Sequence, residues 1–235
     1  PQLLFPPSRL GLLGKKHKLR AQAWLGIGNN LLDLNRHDEA LEAYENVLKS
    51  KPNAKTNFET RVKIGGTLER QNKFDEALAA YENILKIKRL RIYEAEIQLK
   101  QGNVYRLKDQ VEIAEEIYNE IAKKYPRSKY SADALYRLGL IEQITRKNLE
   151  KAKELFEKAA REARSSEPGQ LALQRQKDLT SLERYRKRAS SAKDPQQALI
   201  PLFNLAELYL FNLGETDSAL VTYQKALSLA DSSDL

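Results

Sequence analysis

The 235 residues include no cysteine and no methionine, only two histidines and one tryptophan, and few glycines or prolines. Without cysteine there is no disulfide framework, no thiolate metal site and no thiol nucleophile, and the redox compartment stays open. His17 and His37 have no second histidine at metal-ligand spacing, so no metal site is expected. No run approaches the roughly 20 apolar residues of a membrane-spanning helix, so no transmembrane segment is expected. There is no Gly-x-Ser-x-Gly. Gly11-Leu-Leu-Gly14-Lys15-Lys16 lacks both the first glycine and the Ser/Thr of a phosphate loop. The carboxylates follow helix periodicity and salt-pair spacing. No catalytic residue, no cofactor and no enzymatic role are expected. With proline at position 1 and no methionine, the chain reads as a processed form or an excised fragment, any leader lying outside it.

What is present is repetition. Gly28, Gly65, Gly102 and Gly139 fall 37 residues apart. An alanine follows each (Ala40, Ala77, Ala114, Ala152), and a ring follows each alanine by four residues (Tyr44, Tyr81, Tyr118, Phe156). Such a period marks one supersecondary unit copied in tandem, stacked on its neighbours instead of closing a single core. Small residues at fixed sites let two helices approach, and large neighbours fill the space around the crossing. A fifth unit appears as Leu205-Ala206, Tyr209, Ala219, Tyr223 and Ala226. In the last two units the small residue and the alanine are 13 residues apart rather than 12, which predicts one extra turn residue.

Asp38, Asp75, Glu112, Glu150 and Asp217 stand two residues before the alanines, where a carboxylate can cap free N–H groups and offset the helix dipole. Asn35, Asn72, Asp109 and Gly214 sit where the preceding helix must stop, and these types tolerate left-handed backbone. Arg89 occupies the place of Pro52 and Pro126, so helix is expected nearly unbroken from Asp75 past Arg91. Pro168 can start a helix. One long helix is expected over 169–190, with Ala172, Leu179, Leu182, Arg186 and Ala189 on one face, followed by a loop, Ser190–Pro195. The organisation is a basic lead-in (1–20), four units over 21–164 (about 21–54, 58–91, 95–128 and 132–165), the long basic helix and loop (165–198) and a fifth unit (199–235).

Trp24-x2-Ile27-Gly28-x2-Leu31, Ala40-x3-Tyr44 and Pro52 resemble the tetratricopeptide repeat family. The resemblance implies an all-α, right-handed superhelical solenoid of antiparallel helix pairs. It also implies a non-enzymatic protein-protein interaction scaffold, whose first helices line a concave groove for a partner peptide or helix. Carried onto this chain, the groove candidates are Asn29, Glu69, Asn103, Arg106, Tyr136 and Gln143, the asparagines suited to an extended peptide backbone. The lysine of the carboxylate clamp found in some members is replaced by Leu25, Val62, Leu99 and Tyr136, so that clamp is absent. Those apolar side chains either meet an apolar partner or simply support packing. The stretch from Tyr125-Pro126-Arg127-Ser128 to Leu138-Gly139 is similar to junctions in bacterial cell-envelope tetratricopeptide proteins, the outer-membrane-assembly lipoproteins and the Tol-Pal-associated periplasmic factor among them. That likeness implies a periplasmic or outer-membrane-associated place, with the cytoplasm as the alternative.

The net charge of +8 is uneven. Residues 1–20 carry five basic side chains and no acid, and 158–193 carry ten against four. From Asp194 onward there are six acids and one lysine. A basic surface of Arg175, Lys177, Arg184, Arg186, Lys187 and Arg188 on the 169–190 helix attracts an acidic protein, anionic lipid or nucleic acid through its long-range field. Tyr185 is the one ring among these arginines, which disfavours base stacking and hence nucleic acid. A basic superhelix binding nucleic acid or an anionic membrane remains the alternative function. The acidic end is also matched to a basic face of a neighbouring copy, so self-association is a further expectation.

Overall fold

A computed structural model describes residues 9–231, with side chains from Lys18 to Ala230. Among the described residues there is no strand. The chain divides into two compact units, one up to Ile121 and one from Ala122.

The first unit contains α1 (Arg9–Asp33), α2 (His37–Lys49), α3 (Ala54–Arg70), α4 (Phe74–Leu85), α5 (Glu94–Leu107) and α6 (Val111–Lys124), whose last turn passes into the second unit. α1 packs on α2 and α3 on α4, while α2 and α4 each meet the first helix of the next pair. The basic residues from Arg9 to Arg20 are helical within α1; residues 1–8 of the lead-in lie outside the described residues.

The recurrent glycine has a specific steric reason. A Cβ added to Gly28 or Gly102 would lie 2.5 Å from Cε1 of Tyr44 or Tyr118, and one on Gly65 would come closer still to Tyr81. Each ring is completely buried. The ring from the second helix thus occupies the space where the first helix would carry a side chain. A methyl group there meets an aromatic plane with nowhere to go.

The turns follow from the residues that end each first helix. Asn35, Asn72 and Asp109 adopt φ of 58°, 58° and 61°. Behind them Arg36, Lys73 and Gln110 donate their N–H groups to Leu31, Leu68 and Tyr105, the Schellman closure that satisfies the last carbonyls. The acids do lie in the first turns of the second helices. At α2 and α4, however, no side-chain cap forms. Asp38 instead accepts from Gln71 Nε2 at 2.8 Å and pairs with Lys73, and Asp75 accepts from Lys108 Nζ at 2.5 Å. These carboxylates link the turn of one repeat to the turn of the next. The bond from Gln71, aided by Lys73, holds Asp38 below the ordinary carboxylate range.

The unbroken helix expected from Asp75 past Arg91 does not form. α4 stops at Leu85, Ile87 is extended (φ −85°, ψ 103°), and a 3-10 segment covers Lys88–Tyr93. Burial decides this: Leu90 is fully enclosed beside Tyr81 and Ile84, and Tyr93 stacks on Phe58 with ring centroids 3.7 Å apart. A continuous helix could not turn both residues back into that core.

The second unit contains α7 (Lys129–Leu140), α8 (Leu149–Glu162), α9 (Glu167–Ser190), α10 (Pro195–Glu207) and α11 (Thr216–Asp231). Gly139 repeats the glycine lock against Phe156, again at 2.5 Å. The extra residue of the last two repeats does not lengthen the turn. It widens the end of the first helix into π-helix, at Ile141–Thr145 after α7 and Leu208–Leu213 after α10. Lys147 (φ 56°) and Gly214 (φ 70°) then supply the left-handed residues. α9 begins on the Ser166 cap with proline in its first turn, and packs Ala172 and Leu179 against Phe156 and Ala159 of α8. It meets α7, α8 and α10.

Candidate partner-binding surfaces

In the first unit the groove candidates stand on the first helix of each pair, and the second helix fixes two of them, Asn29 and Glu69. Tyr44 passes under Gly28 and its hydroxyl donates to Asn29 Oδ1 at 3.1 Å. In the second repeat the residue after the glycine is Gly66, which has no side chain, and Tyr81 donates one turn further on, to Glu69. Burial, reinforced by Glu69, raises the Tyr81 hydroxyl well above its ordinary value; burial, then Asp33, raises Tyr44. Both phenols therefore remain protonated donors. In the third repeat Asn103 Oδ1 accepts from Arg106 Nη2 at 3.1 Å, leaving an exposed guanidinium beside a half-buried amide.

The apolar candidates resolve toward packing. Leu99 is buried, and Val62 packs against the core around Tyr81. Leu25 is half-buried.

In the second unit, Tyr136 is half-buried with its ring 5.6 Å from Phe156. Gln143 does not lie on an open face. The π-helical turn rotates it inward until it is buried, and no hydrogen bond reaches its Oε1. Its neighbour Glu142 is also buried, accepting from Arg146 Nη1 at 2.8 Å and Lys151 Nζ at 2.5 Å. Burial pushes the Glu142 carboxyl up, but the hydrogen bonds and charges of Lys151 and Arg146 outweigh it and hold the group below the ordinary carboxylate value. The π turn is thus a folded ionic knot.

The basic surface of α9 divides into two sets. Arg175 donates to the Asn212 carbonyl at 3.1 Å, and Arg186 donates through Nε to the Tyr209 hydroxyl, also at 3.1 Å. Both guanidinia serve the contact between α9 and the segment after α10. Arg184, Lys187 and Arg188 instead line an open depression of about 520 Å³ with Thr180 and Ser191. Lys177 is exposed. Glu183, the acid at this rim, is engaged by Lys153 at 2.7 Å, so the local field stays positive.

A link between Tyr hydroxyl and groove residue was missed by sequence reasoning, although a signal existed. Directly after the small residue stand Asn29, Asn103 and Glu207 where the ring is tyrosine and Leu140 where it is Phe156; Gly66 breaks the pattern, and the place one turn beyond carries no signal, being polar at both Glu69 and Gln143. Tyr223 completes the series, donating to Glu207 Oε1 at 2.5 Å.

Among the described residues no cluster of three or more His, Asp or Glu side chains is arranged to hold a metal ion. No described helix is long and apolar enough to cross a membrane.

Antiparallel helix pairs locked by a small residue under a ring, repeated along each unit, define a tandem helical-repeat protein. Tetratricopeptide repeat models match residues 21–54, 96–128, 132–165 and 201–233, together more than half of the sequence. The chain belongs to the tetratricopeptide repeat family, whose members in general mediate protein-protein interactions. Among solved structures, it is similar to a tetratricopeptide repeat protein from Parabacteroides merdae, with 20% identity and TM-score 0.52 over 89% of this chain and 80% of that one. It is also similar to the apo form of the quorum sensor NprR from B. thuringiensis, with 18% identity and TM-score 0.54 over 89% of this chain and 65% of that one. At such identities the likeness concerns the fold. No curated protein sequence matches at a significant level.

Proposed function

We propose that the chain is a non-enzymatic scaffold that binds a partner peptide or helix on the first-helix face of its first unit, at Asn29, Glu69, Asn103 and Arg106. The observation that carries this reading is the pair of tyrosine hydroxyls that fix Asn29 and Glu69 from behind. Side chains held in place from the core lose little entropy when a ligand arrives. Asn29 and Asn103 suit the N–H and C=O groups of an extended backbone, and Arg106 suits a carboxylate on the partner. The open set Arg184, Lys187 and Arg188 forms a second contact for an acidic protein. Membership of a bacterial envelope complex is part of the proposal, supported by the junction from Tyr125 to Gly139.

The test is affinity purification from the source cells with wild-type bait and two variants, Asn103→Ala/Arg106→Ala and Arg184→Ala/Lys187→Ala/Arg188→Ala. Loss of a partner with the first variant but not the second supports the first-helix face. Retention of every partner by the first variant defeats it. Binding of DNA, RNA or anionic vesicles to the wild type at low salt, lost on raising salt, would favour the basic-surface alternative.

A further inference from the structure

The fifth repeat exposes a face that the fourth repeat keeps covered. In the fourth, Tyr136, Phe156, Ala159 and Ala160 form the flank of the α7–α8 pair, and α9 lies against it. The corresponding residues of the α10–α11 pair are Phe203, Tyr223, Ala226 and Leu227. Here they line an apolar groove of about 560 Å³, with Phe203 53% exposed and Leu227 62%. Ile200, at its edge, is 73% exposed. The residues at Ile200's place in the other repeats are Gln22, Glu59, Glu96 and Asp133, polar in every case. An isoleucine there alone, beside an open groove, marks a surface built to be covered. What covers the equivalent surface inside this chain is a helix.

The first repeat offers such a helix. Leu19, Ala23 and Ile27 of α1 share one helical face at spacings of four residues, and Leu34 stands in the turn directly after the helix. All four are exposed, Ile27 at 44% and Leu34 at 65%. Gly26 lies on the same face, and a Cβ there would meet nothing within 4 Å. Small residues at the centre and large ones at the ends match a helix that must sink between two others. The charges match as well. The stripe is flanked by Lys18 and Arg20 within a segment, 1–20, that has five basic residues and no acid, whereas residues 194–235 carry six acids and one lysine.

We infer that α1 of one copy docks in the α10–α11 groove of a second copy, in the position α9 takes on α8. The contact continues the repeat-on-repeat stacking from one molecule to the next. Because the two surfaces differ, it is heterologous: each contact leaves one groove and one α1 stripe free, and assembly grows beyond the dimer or closes into a ring. Opposite charges speed the encounter and make it sensitive to salt.

Light scattering on the purified 235-residue chain tests this, with Phe203→Glu and Ile27→Glu as variants. Both positions are exposed, and circular dichroism and the melting temperature check that the fold is kept. The wild type is expected to show a mass that rises with protein concentration and falls with salt. Each variant alone is expected at the monomer mass. An equimolar mixture of the two is expected at twice that mass, because the Ile27→Glu copy keeps its groove and the Phe203→Glu copy keeps its α1 stripe. A wild type that stays monomeric at every concentration overturns the inference. So does a mixture that remains two monomers, or a single variant that still assembles like the wild type.

Discussion

Replacing Gly65 with alanine sets two effects against each other, and the structure decides which wins. In a helix interior, alanine is favoured over glycine by about 1 kcal/mol. Against that, the new methyl group would overlap Cε1 of Tyr81, a ring that is fully buried and hydrogen-bonded at its far end to Glu69. Overpacking of this kind costs typically about 1–3 kcal/mol, and a contact this short, with both partners in helices, belongs at the upper end. The expected net result is a loss of about 2 kcal/mol. The internal control is Gly26→Ala in α1, where the methyl group meets no atom and the propensity gain of up to about 1 kcal/mol stands alone. Thermal unfolding followed by circular dichroism reads both. For a chain of this length 1 kcal/mol moves the midpoint by roughly 2–4 °C, so Gly65→Ala should melt about 4–8 °C lower and Gly26→Ala slightly higher. Equal midpoints for the two variants would refute the steric argument.

Three further outcomes follow from particular contacts. Lys147 holds φ at 56°, a conformation that asparagine tolerates better, so Lys147→Asn should raise the unfolding free energy by about 0.5–1 kcal/mol in urea titration. Glu142 has its carboxyl lowered in the fold from 4.5, so its contribution is complete above that value and is lost as pH falls through the folded value. Urea midpoints measured from neutral to acid pH should therefore fall less steeply for Glu142→Gln than for the wild type. Lys108→Ala breaks the ion pair with the highly exposed Asp75 and should cost at most about 1 kcal/mol, a difference that shrinks with added salt.

The parts of the fold legible in the sequence are those in which one residue type answers one local demand. Glycine under a ring, and asparagine, aspartate or glycine at a left-handed turn, could be placed because only a few side chains fit there. Lys147, Lys51 and Arg127 also adopt positive φ, yet lysine and arginine carry no such signal, and those three went unrecognised. The extra residue in the last two repeats was visible as a count, but a count does not reveal whether a turn or a helix absorbs it. Gln143 was misplaced for that reason, since a π turn rotates every side chain beyond its start. The stop after α4 was hidden because it is set by Leu90 and Tyr93 returning to a core formed with Phe58, a tertiary demand that local propensity does not express. At the candidate surfaces, the sequence placed Asn29, Glu69, Asn103 and Arg106 on first helices. It could not show that hydroxyls from the second helices fix two of them. The groove at Phe203 was readable in principle from Ile200, but only by comparing one register position across all five repeats.

The most direct test of the lock between small residue and ring is a double-mutant cycle on Gly65→Ala and Tyr81→Leu, read by urea unfolding. If the ring is what excludes the methyl group, Gly65→Ala should lose its penalty of about 2 kcal/mol once Tyr81 is leucine, and the two changes should couple by a similar amount. Additive effects, with the alanine equally harmful beside leucine, would contradict the account.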